Sequence, residues 1–152
     1  MKKLALLLGF VISLSLVSMA QSPIGKGGRQ FNFGFGFGSD FPVYASYDFG
    51  VHKDITVAPR VAFDLNGFDW LTISGRGDYH FNTLLDIPDN WDFYVGLNLG
   101  FRVGLSNNWS SGLDLGGQVG GRYYWNEKWG VNVEFGGGST MAGGGIGLSM
   151  RM

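Results

Sequence analysis

The chain has 152 residues, no cysteine and a formal charge of −1, with 27 glycines and 13 phenylalanines against only 4 prolines. Lack of cysteine excludes a disulfide framework, thiol chemistry and a lipid-bearing cysteine. With no basic stripe to neutralise phosphates, nucleic acid is excluded as a partner, and glycine without proline is not the composition of a disordered chain.

The first element is a leader. Met1-Lys2-Lys3 is a positive n-region, Leu4 to Val17 is an apolar run, and Ser18-Met19-Ala20 sets small residues at a cleavage site. This predicts a secretory signal peptide over residues 1–20, cut before Gln21. The competing reading is a membrane anchor, but such a run rises about 21 Å as a helix, short of the roughly 20 residues a bilayer requires. Loss of the two leader lysines takes the basic residues from 11 to nine against 12 acidic ones, a net −3. No later stretch is long and apolar enough for a membrane helix, so any membrane entry must be by strands. Residues 21–29 are expected to form a short periplasmic tail and 30–152 one domain.

From Phe31 onward apolar residues recur at every second position. The runs are Phe31–Phe37, Val43–Phe49, Ile55–Phe63, Leu71–Phe81, Trp91–Val103, Leu113–Trp125, Trp129–Phe135 and Ala142–Met152. A period of two means strands with chemically distinct faces. Turn residues separate them at Ser39-Asp40, His52-Lys53-Asp54, Asn66-Gly67, Pro88-Asp89-Asn90, Ser106-Asn107-Asn108, Asn126-Glu127-Lys128 and Gly136-Gly137-Gly138. Eight antiparallel strands with seven tight connections predict an all-β, up-and-down transmembrane barrel. Pro59 interrupts one run, and a bulge or a locally broken hydrogen bond is expected there.

Parity alone does not distinguish a membrane barrel from a soluble one turned inside out. The apolar parity carries too many bulky side chains for the lumen of eight strands, which barely holds its own inward residues. Arg60, Arg76, Arg102, Arg122 and Arg151 lie on the polar parity with Asp48, Asp64, Asp78, Asp92, Asp114 and Glu134, and no strand contains lysine. Arginine suits desolvated pairing with carboxylates, so these eleven residues are expected to form a charge network in the lumen. Phe31, Phe49, Tyr79, Phe81, Trp91, Tyr123, Trp125 and Trp129 fall at the strand ends nearest the periplasm. Phe37, Phe63, Trp70, Phe101 and Phe135 fall toward the other ends, as two interfacial aromatic belts.

With these residues in view, Gln30 to Met152 resembles the small eight-stranded outer-membrane barrels of the OmpA/OmpX type. Tyr47–Val51 before Ile55–Pro59, and Trp91–Gly100, are similar to hairpins of porin-like small barrels. The resemblance implies integral residence in the outer membrane of a Gram-negative cell envelope, with outer-membrane lipid and the barrel-insertion machinery as partners. Two features depart from it: Met152 stands where the last strand ordinarily ends on an aromatic residue, and the outward loops at 38–42, 64–69, 105–112 and 136–141 are short.

Little else carries chemistry. The histidines are His52 in a turn and His80 at the periplasmic end of its strand, and Tyr79-His80-Phe81-Asn82 has no serine beside the base, so no catalytic site is expected. The glycine runs at 34–38 and 143–147 open no helix and are strand glycines. Asn108-Trp109-Ser110 matches a glycosylation sequon without the secretory context that would use it. Asp86, Asp89 and Asp92 lack the rest of a calcium loop, and no cofactor or metal is expected. Two roles stay open: a structural or interaction barrel without catalysis, and a narrow porin-like passive channel.

Overall fold

The computed structural model describes residues 23–37, 41–138 and 143–152. The expected leader, the expected turn at Ser39-Asp40 and the start of the last alternating run at Ala142 lie outside the described residues. Eight strands occur in chain order: Arg29–Phe37 (β1), Pro42–His52 (β2), Ile55–Asp64 (β3), Trp70–His80 (β4), Trp91–Gly104 (β5), Gly112–Tyr124 (β6), Trp129–Gly137 (β7) and Gly143–Arg151 (β8). Each pairs antiparallel with its sequence neighbour, and β1 pairs with β8 to close the barrel. The expected all-β, eight-stranded up-and-down barrel is therefore the observed one. An even strand number leaves Arg29 and Met152 at one end, joined by a hydrogen bond from Met152 N to the Arg29 carbonyl of 3.0 Å; we call this the terminal end and the opposite one the far end.

Alternation of side chains across the pleat sets the two surfaces. In β3, Ile55, Val57 and Val61 are exposed on the outside while Thr56, Ala58, Arg60 and Ala62 are buried inside. The same alternation governs β1, β2, β4 and the terminal half of β5. Exposed Val, Leu, Ile, Phe, Tyr and Trp side chains cover the outer wall, and the buried class is dominated by polar and charged residues. This is an inverted soluble protein, dry and apolar outside, polar inside.

Three local features differ from the sequence expectation. The connection between β4 and β5 is not a tight turn: it includes a single helical turn, Asn82–Leu85 (α1), ended by Asp86 in the left-handed region. Strand β1 begins at Arg29, inside the expected tail. Residues 23–27 form a turn docked on the barrel, with Gly27 N donating to the Gly50 carbonyl at 2.7 Å and Ile24 buried.

Pro59 resolves in favour of a broken hydrogen bond. It pairs with Gly75 of β4 in regular register, but the β2–β3 ladder has no pairs between Ser46↔Arg60 and Phe49↔Val57, then resumes in the same register. The bulge lies elsewhere, between Gly50 and His52. Because Pro59 is outward and exposed, Pro59→Val is expected to restore a ladder donor without disturbing the lumen. It should raise the unfolding free energy by about 0.5–1.5 kcal/mol, read as a higher urea midpoint; an unchanged or lower midpoint contradicts this account.

Inward glycines leave room for large side chains from adjacent strands. A Cβ on Gly120 would stand 2.4 Å from the Tyr94 ring, and one on Gly130 2.7 Å from the ring of Tyr124. Tyr44 lies over two glycines at the closing seam, its hydroxyl 2.8 Å from a Cβ placed on Gly34 and 2.9 Å from one on Gly147. Gly34 and Gly147 are direct partners across the β1–β8 seam.

Candidate functional site

The lumen is the place where chemistry-bearing side chains converge, and it is built in three tiers. The middle tier centres on Glu134 of β7. Its Oε2 accepts from Arg60 Nη1 of β3 at 3.0 Å, and its Oε1 from Arg76 Nη1 of β4 and from the Tyr94 hydroxyl of β5, both at 2.7 Å. Arg76 also donates through Nε to Asp78 Oδ2 at 2.9 Å, and the other oxygen of Asp78 accepts from Gln118 Nε2 at 2.8 Å. Arg60 lies over the Tyr44 ring, 4.1 Å from its centroid, and the Tyr44 hydroxyl donates to Asn132 Oδ1 at 2.7 Å. A charge here is satisfied by bonds reaching across the barrel, the condition under which buried ions are tolerated.

The terminal tier centres on Arg122 of β6. Its Nη1 donates to Asp92 and its Nη2 to Asp48, both at 2.9 Å. Asp92 also accepts from His80 Nδ1 at 2.7 Å, and His80 Nε2 lies 2.9 Å from the Thr56 hydroxyl. Asp48 continues through Ser46 to Asn32, which Gln30 and Ser149 also join. At the rim, Arg151 stacks 3.4 Å from the Tyr124 centroid and donates to the Asp89 carbonyl at 2.8 Å.

The far tier is different in kind. Arg102 of β5 lies 4.8 Å from the Trp70 ring and 4.9 Å from the Trp109 ring, beside a small apolar cluster of Trp70, Tyr44 and Ala62. Asp64 caps the following turn by accepting from Asn66 N at 2.9 Å. Asp114 is fully buried, and among the described residues neither of its carboxylate oxygens has a hydrogen-bond partner.

The structure thus brings Arg60, Arg76, Arg122, Asp48, Asp78, Asp92 and Glu134 into direct ion pairs. Arg102, Arg151, Asp64 and Asp114 lie on the same parity outside those pairs. The belt residues Phe31, Phe49, Tyr79, Trp91, Tyr123, Phe37, Phe63, Phe101 and Phe135 lie on the outward parity. Phe81, Trp125 and Trp129 flank strand ends at the terminal end. On β1 the belts merge, since Phe33 and Phe35 fill the wall between Phe31 and Phe37.

Trp70 corrects the belt assignment. It is 1% exposed and faces the lumen, because it directly precedes the outward Leu71 and the pleat must turn it inward. The period of two already held that information. Sequence reasoning also missed the inward tyrosines Tyr44, Tyr94 and Tyr124, whose polar parity was the available signal. The hydroxyl absent beside His80 in sequence comes instead from Thr56, on the neighbouring strand. Asp92, His80 and Thr56 form a hydrogen-bonded relay, and all three are buried at 1% exposure or less.

A small cavity opens in the lumen among the described residues. It holds about 10 Å³ against Arg60, Ser74, Asn98 and Gln118, with glycines of β6 and β7 forming its remaining wall. That is about the volume needed for one water, and Asn98 Oδ1 is buried without a hydrogen-bond partner.

Comparison with solved structures settles the architecture. The crystal structure of the N-terminal β-barrel domain of Pseudomonas aeruginosa OprF superposes with a TM-score of 0.68 at 15% identity, over 84% of this chain and 99% of that one. The fold is that of a small transmembrane barrel. A de novo designed transmembrane barrel matches at a TM-score of 0.69 and 13% identity, over 88% of this chain and 100% of its own. The Yersinia pestis outer membrane protein Ail, solved in a phospholipid bilayer nanodisc, gives 0.53 at 16% identity, over 84% of this chain and 100% of Ail. No protein-family model matches the chain, and no curated protein does. The transmembrane-barrel fold can thus be built from a sequence that shares little with these structures beyond its alternation.

Proposed function

We propose that the protein is an integral outer-membrane barrel with a closed lumen and a structural or interaction role, without catalysis. The observation that carries this reading is the pairing of an apolar outer wall with an interior of crossed ion pairs. Turning Arg60 or Arg76 outward at mid-membrane would cost roughly 2–4 kcal/mol each, whereas inside they meet Glu134 and Asp78. In this reading the terminal end faces the periplasm, the membrane lipid covers the outward aromatics, and the barrel-insertion machinery seats the last strand, β8.

The test is electrophoretic. A folded barrel extracted from membranes should migrate differently before and after boiling, and absence of that shift would overturn the reading. The narrow passive channel is favoured by the glycine-walled cavity beside Asn98. At about 10 Å³ that cavity holds a single water rather than a hydrated ion. Purified protein in planar bilayers is therefore expected to be silent; steady ohmic openings would establish the channel instead.

A further inference from the structure

On the outer wall, β6 runs lower than the strands beside it. Outward from the terminal end its positions are Tyr123, Gly121, Val119 and Gly117, while its neighbours across the ladder are Trp91, Phe93, Val95 and Leu97 on β5. On the other side Val131, Val133 and Phe135 of β7 form the second bank. A Cβ on Gly121 would press on the edge of the Phe93 ring at 3.3 Å, so Gly121 is the low point of the wall with Phe93 packed beside it. The result is an apolar trough of about 900 Å³. On β6 its lining runs from Tyr123 to Val119, about 13 Å of strand, which at the usual barrel tilt of about 40° rises about 10 Å of a leaflet about 15 Å thick.

The mouth of the trough is polar. Tyr123 also lines a rim pocket of about 400 Å³ that contains Asp89, Glu127 and Arg151. Neither the Asp89 nor the Glu127 carboxylate enters an ion pair among the described residues. Arg151 is fixed there by its stack on Tyr124 and its bond to the Asp89 carbonyl. Two free anionic acceptors beside a held guanidinium complement a zwitterion, with an ammonium for the carboxylates and a phosphate for Arg151.

We infer that this trough and its rim pocket seat one glycerophospholipid with a primary-ammonium headgroup, its acyl chain on Gly121 and its ammonium at Asp89 and Glu127. The inference rests on the membrane reading above. A second trough, along β4 at Gly77, has about 430 Å³ between Tyr79 and Leu97. Asp78, the charged residue of its lining, bonds into the lumen, so it has no headgroup partner and serves as an internal control.

Native mass spectrometry of the delipidated, refolded full chain decides the matter. The protein is offered equal amounts of phosphatidylethanolamine, phosphatidylcholine and phosphatidylglycerol. One phosphatidylethanolamine should be retained about tenfold over phosphatidylcholine, the discrimination of one charge-assisted hydrogen bond. Gly121→Leu should abolish that retention by filling the trough. Asp89→Asn with Glu127→Gln should equalise the three lipids. Equal retention by the unaltered protein, retention by the Gly121→Leu variant, or a lipid-free dimer showing a second copy in the trough would each overturn the inference. The boiling shift is recorded on every sample, so loss of the barrel itself counts against the membrane reading alone. If Gly121→Leu lacks the shift, Val119→Trp, on the same strand and in the lining of the same trough, takes its place with the same expected loss.

Discussion

Glu134→Gln is expected to lower the unfolding free energy of the barrel by about 3–5 kcal/mol, the usual cost of stripping one partner from a buried ion cluster. Glu134 receives Arg60, Arg76 and Tyr94 on its two oxygens, and glutamine offers one neutral oxygen in their place. Arg76 retains Asp78, and Arg60 keeps its place over the Tyr44 ring. The contrast with Asp114 makes the argument specific. Asp114 is equally buried, but among the described residues its oxygens have no hydrogen-bond partners, so Asp114→Asn removes a desolvated charge and breaks no bond. Urea titration of the two variants in detergent micelles should show a large drop in midpoint for Glu134→Gln and none, or a rise, for Asp114→Asn. Equal drops would mean that burial, and not pairing, sets the energetics of this lumen.

Gly147→Ala should damage the barrel by a different route, at its closing seam. A Cβ there would stand 2.3 Å from the Phe33 carbonyl oxygen and 2.9 Å from the Gly34 Cα, both backbone atoms that cannot rotate away. The same methyl would press on the Tyr44 hydroxyl, whose bond to Asn132 ties β2 to β7. Overpacking of this kind typically costs about 1–3 kcal/mol, and the seam concentrates it where first and last strands must meet. We expect a smaller fraction of heat-modifiable barrel after refolding into vesicles, with Gly147→Val worse than Gly147→Ala. Gly75→Ala is the matched control: it is an outward strand glycine whose Cβ would meet nothing within 4 Å, and it should fold as the parent does. Equal yields for Gly147→Ala and Gly75→Ala would remove the seam from the account.

Much of this architecture was legible because a strand has one degree of freedom that matters, the parity of each residue. Arg60, Arg76, Arg122, Asp48 and Glu134 share one parity and are buried, and the alternation counted eight strands. It could not say that Glu134 meets Arg60 from four strands away, since partners across a closed lumen are set by tilt and stagger rather than by spacing. Trp70 was misplaced because residue type was allowed to override parity: a tryptophan near a strand end looks interfacial, yet Trp70 follows the pleat into the lumen. The inward glycines carry no sign in the sequence of what fills the space beside them. In the structure Gly34, Gly120, Gly130 and Gly147 are where Tyr44, Tyr94 and Tyr124 fit, a long-range complementarity that neither sequence segment carries alone. The turn α1 escaped notice because four residues, Asn82–Leu85, are too few to display a helical period.

The glycines at the seam have one more consequence, for how the closing strands find their alignment. The pairs facing the lumen there are Asn32↔Ser149, Gly34↔Gly147 and Gly36↔Gly145, and phenylalanines of β1 oppose Met150, Leu148 and Ile146 outside. A slip of two residues keeps every side chain on its own face, sets glycine against glycine again, and leaves the outer wall apolar. The hydrophobic outer wall does not reject that error. What rejects it is the hydrogen bond from Ser149 to Asn32 at 2.7 Å and the seat of Tyr44 over both glycines. The final zipping of this barrel is thus proofread by a few polar atoms, while the large apolar surface that holds it in place is indifferent to the outcome.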